Sequence, residues 1–299
     1  MPAYVPRDRL ADAGRCRVLC KVAGVRSAGG SPGRFSSVIL AIDAGNFKIA
    51  FGAFDGDAPP LSTASLPVES FVAEGFEAEG PGAGFSRAIN ALGACPSDVE
   101  GVSISSVVPR LTPLLLEAAG GLTENVLNLT PASFAPMPVR YNPPSDLGSD
   151  RLANALAMFH LYGGPACSVD LGTATNFDVV SASGEFVGGA IAPGLGTAAD
   201  ALWSKAARLK DPGWGLPARA LGQSTAECLI SGTLLGYAGL VDEMVRLLAA
   251  EAGPFVRVVA VGGMAHIVSQ AARAIDEVRP TLTLEGLNIA FRLSRPGGA

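Results

Sequence analysis

Histidine is nearly absent from this chain of 299 residues: only His160 and His266 occur, and neither has a partner at metal-ligand spacing. Cysteine is sparse as well. The five cysteines, Cys16, Cys20, Cys95, Cys167 and Cys228, are odd in number and scattered, so they make no disulfide framework. They fit a reducing cytosol, and a cytoplasmic protein is expected. Cys16 and Cys20 lack a second Cys/His pair, which argues against a zinc module. No G-x-S-x-G elbow supports a Ser-His-Asp hydrolase. Charge is low, with 22 basic against 27 acidic residues and no Lys/Arg run, which argues against a nucleic-acid partner. Mean hydropathy is +0.35, yet no uninterrupted apolar run approaches the ~20 residues of a membrane span, so no membrane is expected.

What the chain has in quantity is apolar residues, at 48%, enough for a sizeable core in one large or two smaller domains. Its most informative feature is a pair of acidic glycine turns, Asp43-Ala44-Gly45-Asn46 and Asp170-Leu171-Gly172-Thr173-Ala174-Thr175. Each lies between runs of β-formers, Ser37–Ile42 and Ile49–Gly52 around the first, Cys167–Val169 and Asn176–Val180 around the second. A single D-x-G is only a hairpin turn, because Asp and Gly favour turns locally. Two copies with similar flanks point to two related halves facing each other. Glycine lets the backbone approach a phosphate closely, turn N–H groups donate to its oxygens, and a strand-end aspartate can hold a metal or its hydration shell nearby. That chemistry is phosphoryl transfer from a nucleotide held in a cleft.

Residues 1–36 carry six arginines and a Gly/Ser/Pro stretch and read as a flexible extension, with order starting at Ser37. Beyond it the pattern predicts a hairpin over 38–54, helices over 85–92 and 111–119, and strands over 102–108 and 126–129. An extended proline-rich segment over 131–144 follows, then a helix over 150–162 and the second hairpin. After that come a strand over 186–191, a helix through Leu202 and Ala207, and a long helix over 225–249 interrupted around Gly232 and Gly236. A strand over 256–261, a helix over 267–274 and a last helix over 284–293 complete the series. Strand-rich starts followed by α/β alternation, twice over, predict an α/β fold of two domains, 37–149 and 150–295.

Further segments fall in order: Ser105-Ser-Val-Val-Pro109, Tyr141-Asn-Pro143, Gly148-Ser-Asp-Arg151, Gly188–Gly194, Gly222–Thr225, Ser231–Tyr237, Gly262–Ala265 and Leu282–Leu287. With the two acidic turns, they make the chain resemble the type III pantothenate kinases of the actin/hexokinase-like superfamily, from about Ile39 to Phe291. The resemblance implies duplicated actin/ribonuclease-H-like domains with an interdomain nucleotide cleft. It implies ATP-dependent phosphorylation of pantothenate to 4'-phosphopantothenate, the first step of coenzyme A synthesis. Asp150 would be the general base. Tyr141, Gly148, Ser149, Asp150, Arg151 and Thr225 would line the pantothenate site, with Arg151 gripping its carboxylate. Asp43, Ala44, Gly45, Asn46, Phe47, Lys48 and Thr173 would face ATP. Asp43 would sit near Mg²⁺ through water, and Asp170 would hold a monovalent cation, K⁺ or NH₄⁺. Gly262-Gly263 would close over the adenosine, and a homodimer is implied. A stripe of Ala226, Ile230, Thr233, Leu234, Tyr237 and Val241 fits a two-fold contact or an ordinary core face.

The first turn departs from the family. Phe47 stands where a Thr or Ser hydroxyl is usual, and alternation sets Lys48 opposite to it. Asn176, Gln223 and Val261 also replace usual residues, so the pantothenate side is kept better than the ATP side. Two other functions remain open on these residues: a non-catalytic protein that keeps the pocket as a binding or regulatory module, and a kinase or phosphatase of the superfamily acting on another small acid.

Overall fold

The computed structural model describes residues 37–69, 81–132, 136–205 and 211–295. The extension expected over 1–36 lies outside them, as does the end of the helix expected to reach Ala207.

The first half opens with β1 (Val38–Ala44) and β2 (Lys48–Phe54), an antiparallel hairpin that β3 (Ser62–Pro67) extends. Helix α1 (Pro81–Ala91) leads to β4 (Val99–Ser106), parallel to β1; α2 (Thr112–Gly120) then leads to β5 (Val126–Asn128), parallel to β4. Helix α3 (Ser149–Tyr162) enters the second half. There β6 (Ala166–Leu171), β7 (Ala174–Val180) and β8 (Phe186–Pro193) form an antiparallel meander. Helix α4 (Leu195–Lys205) follows. A continuous helical stretch comes next: α5 (Thr225–Ile230), a π-helical segment at Ser231–Leu235 and α6 (Gly236–Ala252). Strand β9 (Arg257–Val261), the short α7 (Ala265–Val268), β10 (Glu277–Val278) and α8 (Leu282–Leu293) close the chain. The sheets run β3-β2-β1-β4-β5 and β8-β7-β6-β9-β10, so each half repeats the same order and the expected duplication is real at the level of topology.

Both sheets are covered on both faces, which is why their strands read as nearly continuous apolar runs. In the first sheet Leu40, Ile42, Ile49, Phe51, Val102 and Ile104 pack with Phe85, Ile89 and Leu115 of α1 and α2. In the second, Val169, Phe177, Val258 and Ala260 pack with Tyr237, Val241 and Val268. Helices α3 and α8 lie between the two sheets, with Leu152, Leu156, Leu284 and Leu287 in a shared central cluster. Each such buried side chain contributes roughly 1.5–3 kcal/mol. By strand alternation the other faces of β1, β2, β4, β6 and β7 look onto this central layer. Asp43, Lys48, Ser105, Asp170, Asn176 and Asp178 stand on those faces.

Several expectations change. Strands β3 and β10 have no counterpart among the expected elements. The helix expected over 267–274 stops at Val268, because the Asp242 carboxylate on α6 accepts from the N–H groups of Arg273 and Ala274 at 2.7 and 2.8 Å and ties that backbone into a turn. The stripe on α5 and α6 divides: Leu234, Tyr237 and Val241 are buried in this chain's own core, so they do not form an outward two-fold face. Thr225–Ala252 is long and apolar enough, by length and composition, to cross a membrane, although no uninterrupted apolar run in the sequence is. It is fastened to the second sheet by Tyr237, whose hydroxyl donates to the Pro193 carbonyl at 2.7 Å and pairs with the Thr175 hydroxyl.

Candidate functional site

The two acidic turns are built alike. In the first, Gly45 N–H donates to the Lys48 carbonyl at 3.0 Å; in the second, Gly172 N–H donates to the Ala174 carbonyl at 3.0 Å. Each turn leaves its aspartate at a strand end, Asp43 on β1 and Asp170 on β6, facing the N-terminal turn of α3. Asp150 lies in that turn. The three carboxylates feel one another. Burial first, then the charges of Asp150 and Asp170, push Asp43 up to about 7. Burial and the charge of Asp150 push Asp170 up to about 6. Burial also raises Asp150 above the usual carboxylate range. The Lys48 ammonium pulls both Asp43 and Asp170 back down, and the Arg151 guanidinium does the same for Asp150. In register Asp43 pairs with Ala50, which makes Lys48 the diagonal neighbour of Asp43 on the same sheet face. Phe47 is 73% exposed at the hairpin tip.

Gly148 caps α3 and sets the base candidate. A Cβ there would lie 2.4 Å from Asp150 Oδ1, so only glycine leaves that carboxylate its position. Asp150 Oδ1 accepts from the Arg151 backbone N–H at 2.9 Å. Ser149 is buried and its Oγ lies 2.9 Å from Ser105 Oγ on β4, whose hydroxyl lowers the Asp43 pKa against the effect of burial. Ser105 was read only as part of a motif; the parallel register, which sets it beside Asp43, gives it this place.

Arg151 is held on three sides. Its Nε donates to Asp178 Oδ1 at 2.6 Å, its Nη1 donates to the Tyr141 hydroxyl at 3.3 Å, and its guanidinium lies 5.5 Å from the Tyr141 ring centre and 5.6 Å from that of Phe186. Asp178 is fully buried; burial raises its pKa and Arg151 opposes that. Sequence reasoning missed Asp178, though an acid inside the apolar strand Phe177–Val180 is the kind of buried charge that needs a partner. Tyr141, Ser149, Asp150 and Arg151 thus stand together. Thr225 is exposed at the start of α5, where Ser224 caps the helix by accepting from Glu227 N–H at 3.2 Å. Thr173 is exposed, and its carbonyl accepts from Gly194 N–H and Thr197 Oγ1 at 2.9 and 2.8 Å. Ala44 is buried and Asn46 exposed. Gly262, at φ +97°, sits directly against Asp170.

Three raised carboxylates, with Lys48 and Arg151 offsetting their charge only in part, fit a cation electrostatically. Among the described residues no cluster of three His, Cys, Asp or Glu makes a direct metal cage. That donor set suits an ion that keeps most of its water, as Mg²⁺ does.

Twin sheets of this order, with a D-x-G hairpin in each and the turns facing one helix, define the actin/hexokinase-like class. Solved structures agree on the fold. A Baf-family protein from Campylobacter jejuni aligns over 83% of this chain and 95% of its own, at 21% identity and a TM-score of 0.51. Component A of (R)-2-hydroxyglutaryl-CoA dehydratase from Acidaminococcus fermentans aligns over 87% and 100%, at 12% identity and a TM-score of 0.52. The family model described as type III pantothenate kinase matches residues 39–247. The protein of that name from Moorella thermoacetica is 38% identical over 255 residues, covering 85% of this chain and 98% of its own. Its namesake from Roseiflexus castenholzii is 36% identical over 272 residues, covering 86% and 100%. The chain belongs to the type III pantothenate kinase family.

Proposed function

We propose that this protein transfers the γ-phosphoryl group of ATP to the primary hydroxyl of pantothenate, in the cleft between its two sheets, as the committing step toward coenzyme A. The observation that carries the reading is the convergence of Asp43, Asp150 and Asp170 from two hairpins and one helix N-terminus. In phosphoryl transfer the protein supplies position and charge. Asp150 takes the hydroxyl proton on Oδ2, while Oδ1 stays tied to the helix by the Arg151 N–H. Its raised pKa makes it a stronger base than a free aspartate. Arg151, already anchored on Asp178 and Tyr141, offers its remaining Nη2 edge to the pantothenate carboxylate. The glycine turns, with Thr173, present N–H groups to the nucleotide phosphates, and Lys48 adds charge there. Asp43 would hold hydrated Mg²⁺ and Asp170 the monovalent cation; such ions neutralise charge on the phosphates. A cytoplasmic homodimer is part of this reading. Its support on the surface of the second half is the exposure of Ile191, Trp214, Leu216 and Leu221, a set that a second copy would cover.

The test is turnover with ATP, Mg²⁺ and pantothenate, in K⁺ and in Na⁺, with the phosphorylated product identified by mass spectrometry. The wild type is expected to be active in K⁺ and weaker in Na⁺, and to elute as a dimer. Asp150→Asn should lower kcat by ~10²–10⁴-fold while remaining folded. Pantothenate binding without turnover on any nucleotide donor would establish the binding module instead, and turnover of a different small acid would establish the other kinase.

A further inference from the structure

Asn154 is fully buried one helical turn beyond Asp150, on the same face of α3. A buried amide normally finds partners for both of its ends. Its Oδ1 accepts from Thr283 Oγ1 of α8 at 2.8 Å. Its Nδ2 has no hydrogen-bond partner among the described residues. The acceptor on that side is Asp170, whose pKa burial and Asp150 raise and the Asn154 amide lowers, across a gap wider than a direct hydrogen bond. The orientation is dictated by charge. Turned over, the amide would set its oxygen against the carboxylate, whereas the Thr283 hydroxyl as donor keeps the oxygen on its own side. The helices are locked at this point, because a Cβ on Gly286 of α8 would lie 1.9 Å from the Ala153 carbonyl oxygen of α3. Thr283, one turn from Gly286, therefore cannot move away from Asn154 without parting the helices.

We propose that Asn154 is a positioning residue for Asp170: its Nδ2 donates to the Asp170 carboxylate when the cleft is loaded, and Thr283 of the C-terminal helix fixes the amide for that purpose. The unmet donor is the reserve that makes this possible. Closing the gap orders the carboxylate, and the last helix of the chain thereby acts on the second acidic turn without touching substrate. The inference rests on the kinase reading above.

The experiment compares Asn154→Ala, Asn154→Asp, Thr283→Val and Thr283→Ser with the wild type, each purified and checked by thermal melting. Steady-state kinetics on pantothenate and ATP and calorimetric binding of pantothenate complete the set. Wild-type turnover is the control: its failure overturns the kinase reading and leaves this comparison aside. Given turnover, Asn154→Ala should lower kcat by roughly 10- to 100-fold, the range for loss of a hydrogen bond to a charged group. Pantothenate affinity should stay within about threefold, since uniform binding is not what is lost. Asn154→Asp, which sets a carboxylate against Asp170, should lose more than Asn154→Ala. Thr283→Val keeps the shape without the hydroxyl and should lower kcat with the fold intact, and Thr283→Ser should restore it. The inference is overturned if Asn154→Ala keeps the wild-type kcat, if Asp and Ala at 154 lose equally, or if Thr283→Ser fails to rescue. Should the variants at 154 not fold, the Val and Ser pair at 283 decides the question by itself.

Discussion

Lys48 and Phe47 are adjacent residues with opposite placements, and only one of them bears on the carboxylates. The sequence makes Phe47 the conspicuous change, because a ring replaces a hydroxyl. Alternation already separates the two side chains, but it does not say which face looks inward. The strand register settles that: Lys48 shares the face of Asp43 and Ala50, while Ile49 points to the first core. Lys48→Ala should raise the KM for ATP by roughly tenfold, the scale of one charge-assisted contact to a phosphate. Phe47→Thr should change it by no more than about twofold, since an exposed ring at the hairpin tip leaves a new hydroxyl in solvent. Initial-rate kinetics over a range of ATP concentration measure both, and a larger effect at 47 than at 48 would reverse the assignment. Arg151 stands out in the sequence through its motif. Its partner Asp178 does not, because a long-range ion pair leaves no local spacing to read.

At the scale of elements, what was legible had strong local rules behind it. The two hairpins carried glycine turns between β-formers, and α3 carried an apolar face at helical period. What was illegible was either short or held from outside. β3 alternates half-buried and exposed residues through small polar side chains, and β10 has two residues, so neither makes a clear pattern. The turn over 269–274 is imposed by Asp242 from a different helix. The N-terminus of α3 joins both cases, since the G-x-D-R motif is visible in sequence but the reason for its glycine is steric. Gly148→Ala should displace Asp150, lowering kcat at least tenfold while circular dichroism and melting stay near wild type. An alanine variant with full kcat would show that the carboxylate has room to spare.

For the whole molecule, the three central carboxylates set how stability responds to pH. Their unfolded values lie near 4, while Asp43 rises to about 7 and Asp170 to about 6 in the fold. Between those limits the folded chain holds more protons than the unfolded one. Stability of the metal-free protein should therefore be highest at the acid side of this window and fall as pH rises from about 4 to about 7. Added Mg²⁺ with nucleotide should restore much of the loss at the upper end, by binding the folded state alone. Melting temperature against pH, with and without Mg²⁺ and nucleotide, checks this; a metal-free profile that rises with pH would contradict it. The molecular fold was legible as a duplicated α/β protein because the acidic turn recurs. The central placement of α3 and α8 was not, since hydrophobic period shows that a helix is buried without saying between what.

The placement of α8 also has a consequence for synthesis on the ribosome. Gly101 of β4 lies so close to Phe291 that a Cβ there would be 1.9 Å from the ring, and Asn288 Nδ2 donates to the Gly56 carbonyl at 2.9 Å. The strands of the first half thus find part of their inner covering in α8, far later in the chain. Until α8 has been made, the nascent first half keeps an apolar surface open. A chain stopped before Leu282 should accumulate in the insoluble fraction, and co-expression of the missing segment as a separate peptide should return part of it to solution. For these elements, birth order and burial order run in opposite directions.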